Sequence, residues 1–492
     1  MPTVRAVATR PLESGADLLV VPVFKGGIEG PGAVETLSAL GLDRVPVTAG
    51  FRGDVGQTLE LAGAGAAIGT VLLVGLGRMD TTDAEQLRRA SALSAGAAVR
   101  LGASRRTAVA TTLAQVHPAA PSVAAVAEGF LLGAHREERF RSDGRSPPAS
   151  LDILVPSSLL PTAAAATERA TRAAEATVDA RRLVDLPPDR GRPFELAGAI
   201  AELASSSCTV EIHGQQWLAR HGCGGMLGVA RGSRAGPRLV ELRYVPSDPL
   251  GRVTLTGKGL TFDSGGLSLK TPEQMRGMKA DMAGAASIAA ACAALRDAGA
   301  RVEVRALLGL VENMPGGSAL CPGDVVRITD GTTVEVRDTD AAGPLVLADL
   351  LALGARQQTD ALVDVATLTS SAVTALGRYA GALLGDDEPA DALTHAARNA
   401  GEDVWRLPLW GDLEHRLDSE VADCNNSGDG AGAGAITAAL FLRRFVGGTP
   451  WAHLDITGPA FLDRDTARGY LPAGATGFGT RTLLSWLSGQ PH

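Results

Sequence analysis

A strand that runs straight into glycine-rich, charge-bearing chain constrains this sequence more than any other feature. Arg252–Thr256 (RVTLT) alternates as a short strand, and Gly257–Asp281 continues as GKGLTFDSGGLSLKTPEQMRGMKAD. Period-two alternation fits a strand. Gly257, Gly259, Gly265 and Gly266 then let the chain turn and approach other backbone closely. Open α/β sheets bind ligands beyond the carboxyl ends of their strands, so Lys258 and Asp263 are expected on a loop at such a site. A carboxylate there can bridge two cations. A lysine amine ligates only where a cation's charge holds it deprotonated.

A second stretch, Asp338–Asp349 (DTDAAGPLVLAD), adds carboxylates in another glycine-containing turn. Each residue also has a plainer reading. Asp281 precedes the small-residue run MAGAAS and reads equally as a carboxylate favouring a helix N-terminus. Lys270 alone reads as a surface lysine, and Asp340 as a turn residue. The combination carries the chemistry: two lysines and several carboxylates at strand ends form the kit of a two-metal hydrolytic site.

Around these stretches the chain alternates strands and helices, which implies an α/β fold with a mixed or parallel sheet covered by helices. In the first part, Asp17–Val23, Gly69–Leu76 and Leu151–Val155 read as strands, and Asp83–Leu101 and Val123–Ala134 as helices. His135–Ser150 (HREERFRSDGRSPPAS) reads as an exposed loop. Thr162–Leu183 is a long helical pattern ended by the prolines of LPPDRGRP. The expected division is an N-terminal domain over 1–165, a connecting helix and linker over 166–192, and a larger C-terminal domain over 193–492. In the latter, strands are expected at Arg238–Tyr244, Val302–Leu308, Ala361–Ala366 and Ala452–Ile456. Helices are expected at Ala283–Asp297, Leu345–Leu353 and Ala435–Phe445.

Composition removes several function classes. A net charge of −8 with no basic stripe argues against nucleic acid as the main partner. No apolar run reaches the roughly 18–20 residues of a membrane span, and the start lacks a secretory pattern. The 5 cysteines are scattered without C-x-x-C spacing, which favours reduced thiols in a cytoplasmic protein over disulfides or structural zinc.

The motifs resemble those of the leucyl aminopeptidase (M17) family of metallo-exopeptidases. GKGLTFDSGGLSLK is similar to its first signature. Glu312–Val336, Asp364–Gly377 and Ala433–Phe461 continue the match in order over roughly residues 175–485. The resemblance implies two α/β domains: a smaller, macro-like N-terminal one, and a larger one with a central mixed sheet flanked by helices. It makes Lys258, Asp263 and Asp281 ligands of a tightly held zinc or manganese. Asp263 would bridge to a second metal, which Asp340 completes. Lys270 would polarise the scissile carbonyl. Met278, Thr367, Leu368, Ser370 and Thr457 would line the side-chain pocket. A homohexamer, a dimer of trimers, is implied as well.

The sequence departs from the family at two signature positions. The family reads N-T-D-A-E-G-R where Asp338–Pro344 reads D-T-D-A-A-G-P. Ala342 replaces a glutamate that bridges both metals, and Pro344 replaces an arginine that holds the bicarbonate base. Ser370 and Thr457 also add volume where the family has Gly and Ala. One weakly held divalent metal, or none, is expected in place of two, with Asp338 open either as a substitute ligand or as a turn residue. Three functions remain: metal-assisted amide or acyl chemistry on an amine-bearing peptide or amino-acid-derived substrate with impaired or altered peptide hydrolysis, a working aminopeptidase, and a non-catalytic hexameric subunit.

Overall fold

The computed structural model describes residues 1–48, 50–63, 68–102, 107–142 and 146–489. Residues 143–145 of the expected polar loop lie outside them. The chain forms two compact units. The first comprises Met1–Val178 and Asp463–Ala473; the second comprises Asp179–Leu462 and Gly474–His492.

The first unit is built on strands β1 (Thr3–Val7), β2 (Leu18–Phe24), β3 (Thr58–Ala62), β4 (Thr70–Gly75), β5 (Ala108–Thr111) and β6 (Ser150–Leu154), in the order β1-β6-β5-β2-β4-β3. All these pairs are parallel except β3–β4. β2 is LLVVPVF and buried along its whole length, as a strand covered on both faces must be. Helix α1 (Ala84–Leu101) begins at a capping box in which Asp83 accepts from Gln86 N at 2.8 Å and Gln86 Oε1 accepts from Asp83 N at 3.1 Å. It packs against α2 (Ala120–Ala134).

The Asp463–Ala473 segment belongs to this first unit although its sequence neighbours do not. Tyr470, 1% exposed, donates to Glu85 Oε1 at 2.7 Å, a residue 385 positions earlier. Beside it the buried Arg88 pairs with Glu85 at 2.7 Å and Glu128 at 2.9 Å. A guanidinium taken from water in this way is tolerated because it is paired. Helix α3 (Leu160–Val184) carries the chain into the second unit.

There the strands are β7 (Thr209–His213), β8 (Arg238–Tyr244), β9 (Arg252–Asp263), β10 (Glu303–Asn313), β11 (Ala361–Ala366), β12 (Ala380–Gly385), β13 (Asp403–Arg406) and β14 (Trp451–Asp455). They form one mixed sheet of 8 strands in the order β13-β12-β14-β11-β9-β10-β8-β7. The expected mixed α/β architecture is therefore present. β9 lies at its centre, parallel to both β10 and β11.

One expectation is corrected here. The strand from Arg252 does not stop at Thr256 but runs to Asp263, with an irregularity at Leu260–Phe262. Lys258 therefore sits inside a strand, not on a loop. Gly257 serves close packing: a Cβ there would fall 2.8 Å from the backbone of Ala285, on helix α4 (Ala283–Ala294). The glycine lets the helix press onto the sheet. The real turn comes at Gly265 and Gly266, whose φ values of +86° and +67° favour glycine. Helix α5 (Ala342–Ala355) packs on β9 and is buried along nearly its entire length.

Candidate active site

β9 contributes Lys258 from its middle and Asp263 from its end. The turn after it brings Lys270 back, with Lys270 N donating to Ser264 O at 3.0 Å. Asp281 comes from the short helical turn Met278–Ala280 that leads into α4. Asp340 comes from the segment just before α5. The structure brings these five residues together from four separate stretches of chain.

Two ammonium groups lie among three carboxylates. Lys258 Nζ donates to Asp281 Oδ1 at 2.6 Å and to the Thr367 carbonyl. Thr367 Oγ1 adds a bond to the same Asp281 oxygen at 2.7 Å. Asp281 thus does not cap the helix after it; its side chain turns to Lys258. Lys270 Nζ lies 2.5 Å from Asp340 Oδ1 and 3.8 Å from Asp263 Oδ2. Asp263 Oδ1 accepts from Gly265 N at 2.9 Å and from Asn313 Nδ2 at 2.8 Å.

These surroundings shift the titrations. Burial, reinforced by the Asp281 charge, raises the Asp263 pKa to about 6. Burial also raises that of Asp340, against its pairing with Lys270. For Lys270 burial disfavours the charge, but the Asp263 and Asp340 carboxylates outweigh it and hold the pKa above the ordinary lysine value.

The donor set can be tested against a divalent cation. Asp281 Oδ2 is buried and has no hydrogen-bond partner, and a buried unsatisfied carboxylate oxygen is costly unless something binds it. Carboxylates are hard oxygen donors suited to Mg²⁺ or Mn²⁺ and acceptable to Zn²⁺. Among the described residues, however, no three His, Cys, Asp or Glu side chains are grouped closely enough to hold a cation. Lys270 stands between Asp263 and Asp340. The one orphaned oxygen of Asp281 is thus the feature of this cluster that a cation would satisfy.

Ala342 is the first residue of α5 and 1% exposed, packed in the apolar core. Pro344, also buried, sits in the first helical turn, where its missing N–H costs nothing. Gly343 between them approaches Lys258 so closely that a Cβ would fall 2.7 Å from Lys258 Cε and 2.9 Å from Leu368 Cδ1. Asp338 Oδ1 accepts from Asp340 N at 2.9 Å, the bond of an Asx-turn.

Of the pocket residues, Thr367 and Leu368 precede α6 (Ser370–Leu376), Ser370 opens it, and Asp455 ties Leu368 to Thr457. That carboxylate accepts from Leu368 N at 3.2 Å, Thr369 N at 3.0 Å and Thr457 Oγ1 at 2.5 Å. The Thr457 hydroxyl is therefore satisfied, and Ser370 is exposed. Met278 is half-buried in the turn before Asp281.

Sequence reasoning missed the residues that hold the loops. Asn426 Nδ2 donates to Asp338 O at 2.7 Å and Ala341 O at 3.0 Å, and its Oδ1 accepts from Arg337 N at 2.9 Å. Thr339 Oγ1 donates to Gly265 O at 2.7 Å and accepts from Ser268 N at 2.8 Å. Asn313 reaches both loops. No local signal marks Asn313, which follows Glu312 at the end of a strand that also carries Glu303 and Arg305.

Comparison with known proteins agrees with this fold. Residues 179–484 match the catalytic domain of the cytosol aminopeptidase family, and residues 20–144 match that family's N-terminal domain. A probable cytosol aminopeptidase of Roseiflexus castenholzii is 38% identical, with 98% of each chain covered. One from Streptomyces avermitilis is 40% identical, with 95% of each covered. Among solved structures, the bottromycin maturation enzyme BotP in complex with Mn superposes with a TM-score of 0.84 at 40% identity, covering 96% of this chain and 99% of BotP. A tomato leucine aminopeptidase mutant gives 0.86 at 30% identity, covering 100% of this chain and 97% of that one. This chain belongs to the cytosol aminopeptidase (M17) family.

Proposed function

We propose that this protein binds an amine-bearing peptide or amino-acid-derived substrate and performs metal-assisted amide or acyl chemistry with one divalent cation, hydrolysing ordinary peptides poorly. The observation that carries the reading is the pairing of retained donors (Lys258, Asp263, Asp281, Asp340) with apolar Ala342 and Pro344 at the start of α5. Asp263 and Asp281 would hold the cation, with the unpartnered Asp281 Oδ2 as its principal anchor. Bound there, a divalent ion supplies Lewis-acid polarisation and acidifies water.

The chain's own groups supply the rest. Before a cation enters, two ammonium groups among three carboxylates leave the site net negative, which favours uptake of a divalent ion. Lys270, paired with Asp340, would stabilise the negative charge that develops on a carbonyl oxygen. Beside Lys258 lie Thr367, bound to Lys258 and Asp281, and Leu368, whose N–H Asp455 accepts. The 40% identity to a maturation enzyme solved with Mn supports manganese. Assembly as a hexamer, a dimer of trimers, is part of the same proposal.

The test is calorimetric titration of the purified chain with Mn²⁺ and Zn²⁺, alongside turnover of Leu-p-nitroanilide and dipeptides. One cation per chain with slow turnover is the expected result. Two tightly bound cations and robust hydrolysis would overturn it in favour of a working aminopeptidase. Absence of both cation binding and turnover would leave a non-catalytic subunit.

A further inference from the structure

We propose that Asn313 is a positioning residue that sets the Asp263 half of the site against the Asp340 half; the inference rests on the site reading above. Asn313 is the last residue of β10 and 4% exposed. Its Nδ2 donates to Asp263 Oδ1 at 2.8 Å and to Thr339 O at 3.0 Å. One side-chain amide thus spends one hydrogen on the end of β9 and the other on the segment before α5, each of which carries a site carboxylate. Its main-chain oxygen accepts from Ser264 N at 3.0 Å and Ser264 Oγ at 2.8 Å, so the same residue also fixes where the first loop starts.

The consequence lies in the orientation of Asp263. With donors from both Gly265 N and Asn313 Nδ2, Oδ1 is filled, and Oδ2 is the oxygen left on the Lys270 side. A planar amide fixes the angle between its two bonds, which a hydroxyl or a longer, looser side chain does not. The fit is close on the other edge too: a Cβ on Gly266 would fall 2.8 Å from Asn313 Oδ1. Neither Nδ2 bond belongs to the sheet ladder. Partners that orient a ligating carboxylate in this way typically change metal affinity when removed.

The experiment uses the full chain without metal, as wild type, Asn313→Ala and Asn313→Asp, and measures amide hydrogen-exchange protection. The peptides are Asp263–Lys270 and Arg337–Ala341, with Arg238–Tyr244 as control. Both variants are expected to lose protection about tenfold in both loops, with the control strand unchanged. Loosening of one loop only, of neither, or equally of the control strand would overturn the proposal. A parallel Mn²⁺ titration is expected to show binding weakened about 10- to 100-fold in Asn313→Ala. Unchanged Mn²⁺ affinity in that variant would count against the proposal. A wild-type chain that takes up no Mn²⁺ would defeat the functional reading, while the exchange data would still decide the role of Asn313.

Discussion

Lys258 Nζ and Asp281 Oδ1 lie 2.6 Å apart, with side chains 5% and 9% exposed. Removing one partner of so buried a pair strands the other's charge, at a cost of about 3–5 kcal/mol. Lys258→Met should therefore lower the unfolding free energy by that amount in urea titrations of metal-free protein. The double variant Lys258→Met with Asp281→Leu should lose less than either single change. A double variant as unstable as the sum of the two would show that the pair itself contributes little.

The apolar start of α5 makes a second expectation. Ala342→Glu together with Pro344→Arg should raise the cation stoichiometry from one to two. Hydrolysis of Leu-p-nitroanilide should rise at least about 100-fold, the scale of one restored transition-state group. Because Ala342 is 1% exposed, the same variant should lose thermal stability in the absence of metal and recover it with Mn²⁺. An unchanged rate with two cations bound would remove these positions from the explanation.

Lys270 should separate chemistry from binding. Lys270→Met is expected to cut whatever amide turnover is found by about 100- to 1000-fold, while leaving substrate affinity within a few-fold. Steady-state kinetics reads both. A change in KM alone would place Lys270 in substrate binding.

A buried pair within the sheet gives a pH dependence. His453 Nδ1 lies 2.5 Å from Asp364 Oδ1, and Trp451 Nε1 donates to Asp364 Oδ2 at 2.9 Å. Burial alone would lower the His453 pKa, but the Asp364 charge and hydrogen bond outweigh it and raise the pKa above the usual imidazole value. A raised folded-state pKa stabilises below the unfolded value of about 6.5 and loses that contribution as pH rises through the folded value. Thermal melts should therefore show stability declining on the alkaline side of about pH 6.5, with the slope reduced in His453→Gln. A slope of equal size in that variant would assign the dependence to other groups.

How much of this was legible depended on range. β11 and β8 were readable to the residue, because a run such as ALVDVA satisfies its own periodicity locally. β9 was read too short because glycine signals both a turn and a close approach, and only the position of Ala285 decides between them. The site carboxylates were found by their resemblance to a family motif. Asn313, Asn426 and Asp455 were not, since their partners lie tens of residues away in sequence and no local pattern announces them. Asp338 could be read two ways, and its Oδ1 makes the bond expected of the turn reading.

The excursion of Asp463–Ala473 into the first unit also fixes an order of events at the ribosome. Glu85 leaves the exit tunnel 385 residues ahead of Tyr470, which at about 5–20 residues per second is about 20–80 s of synthesis. Through that interval helix α1 carries its Arg88–Glu85 pair without the tyrosine that bonds to Glu85. The part of the protein made first is thus among the last to be finished.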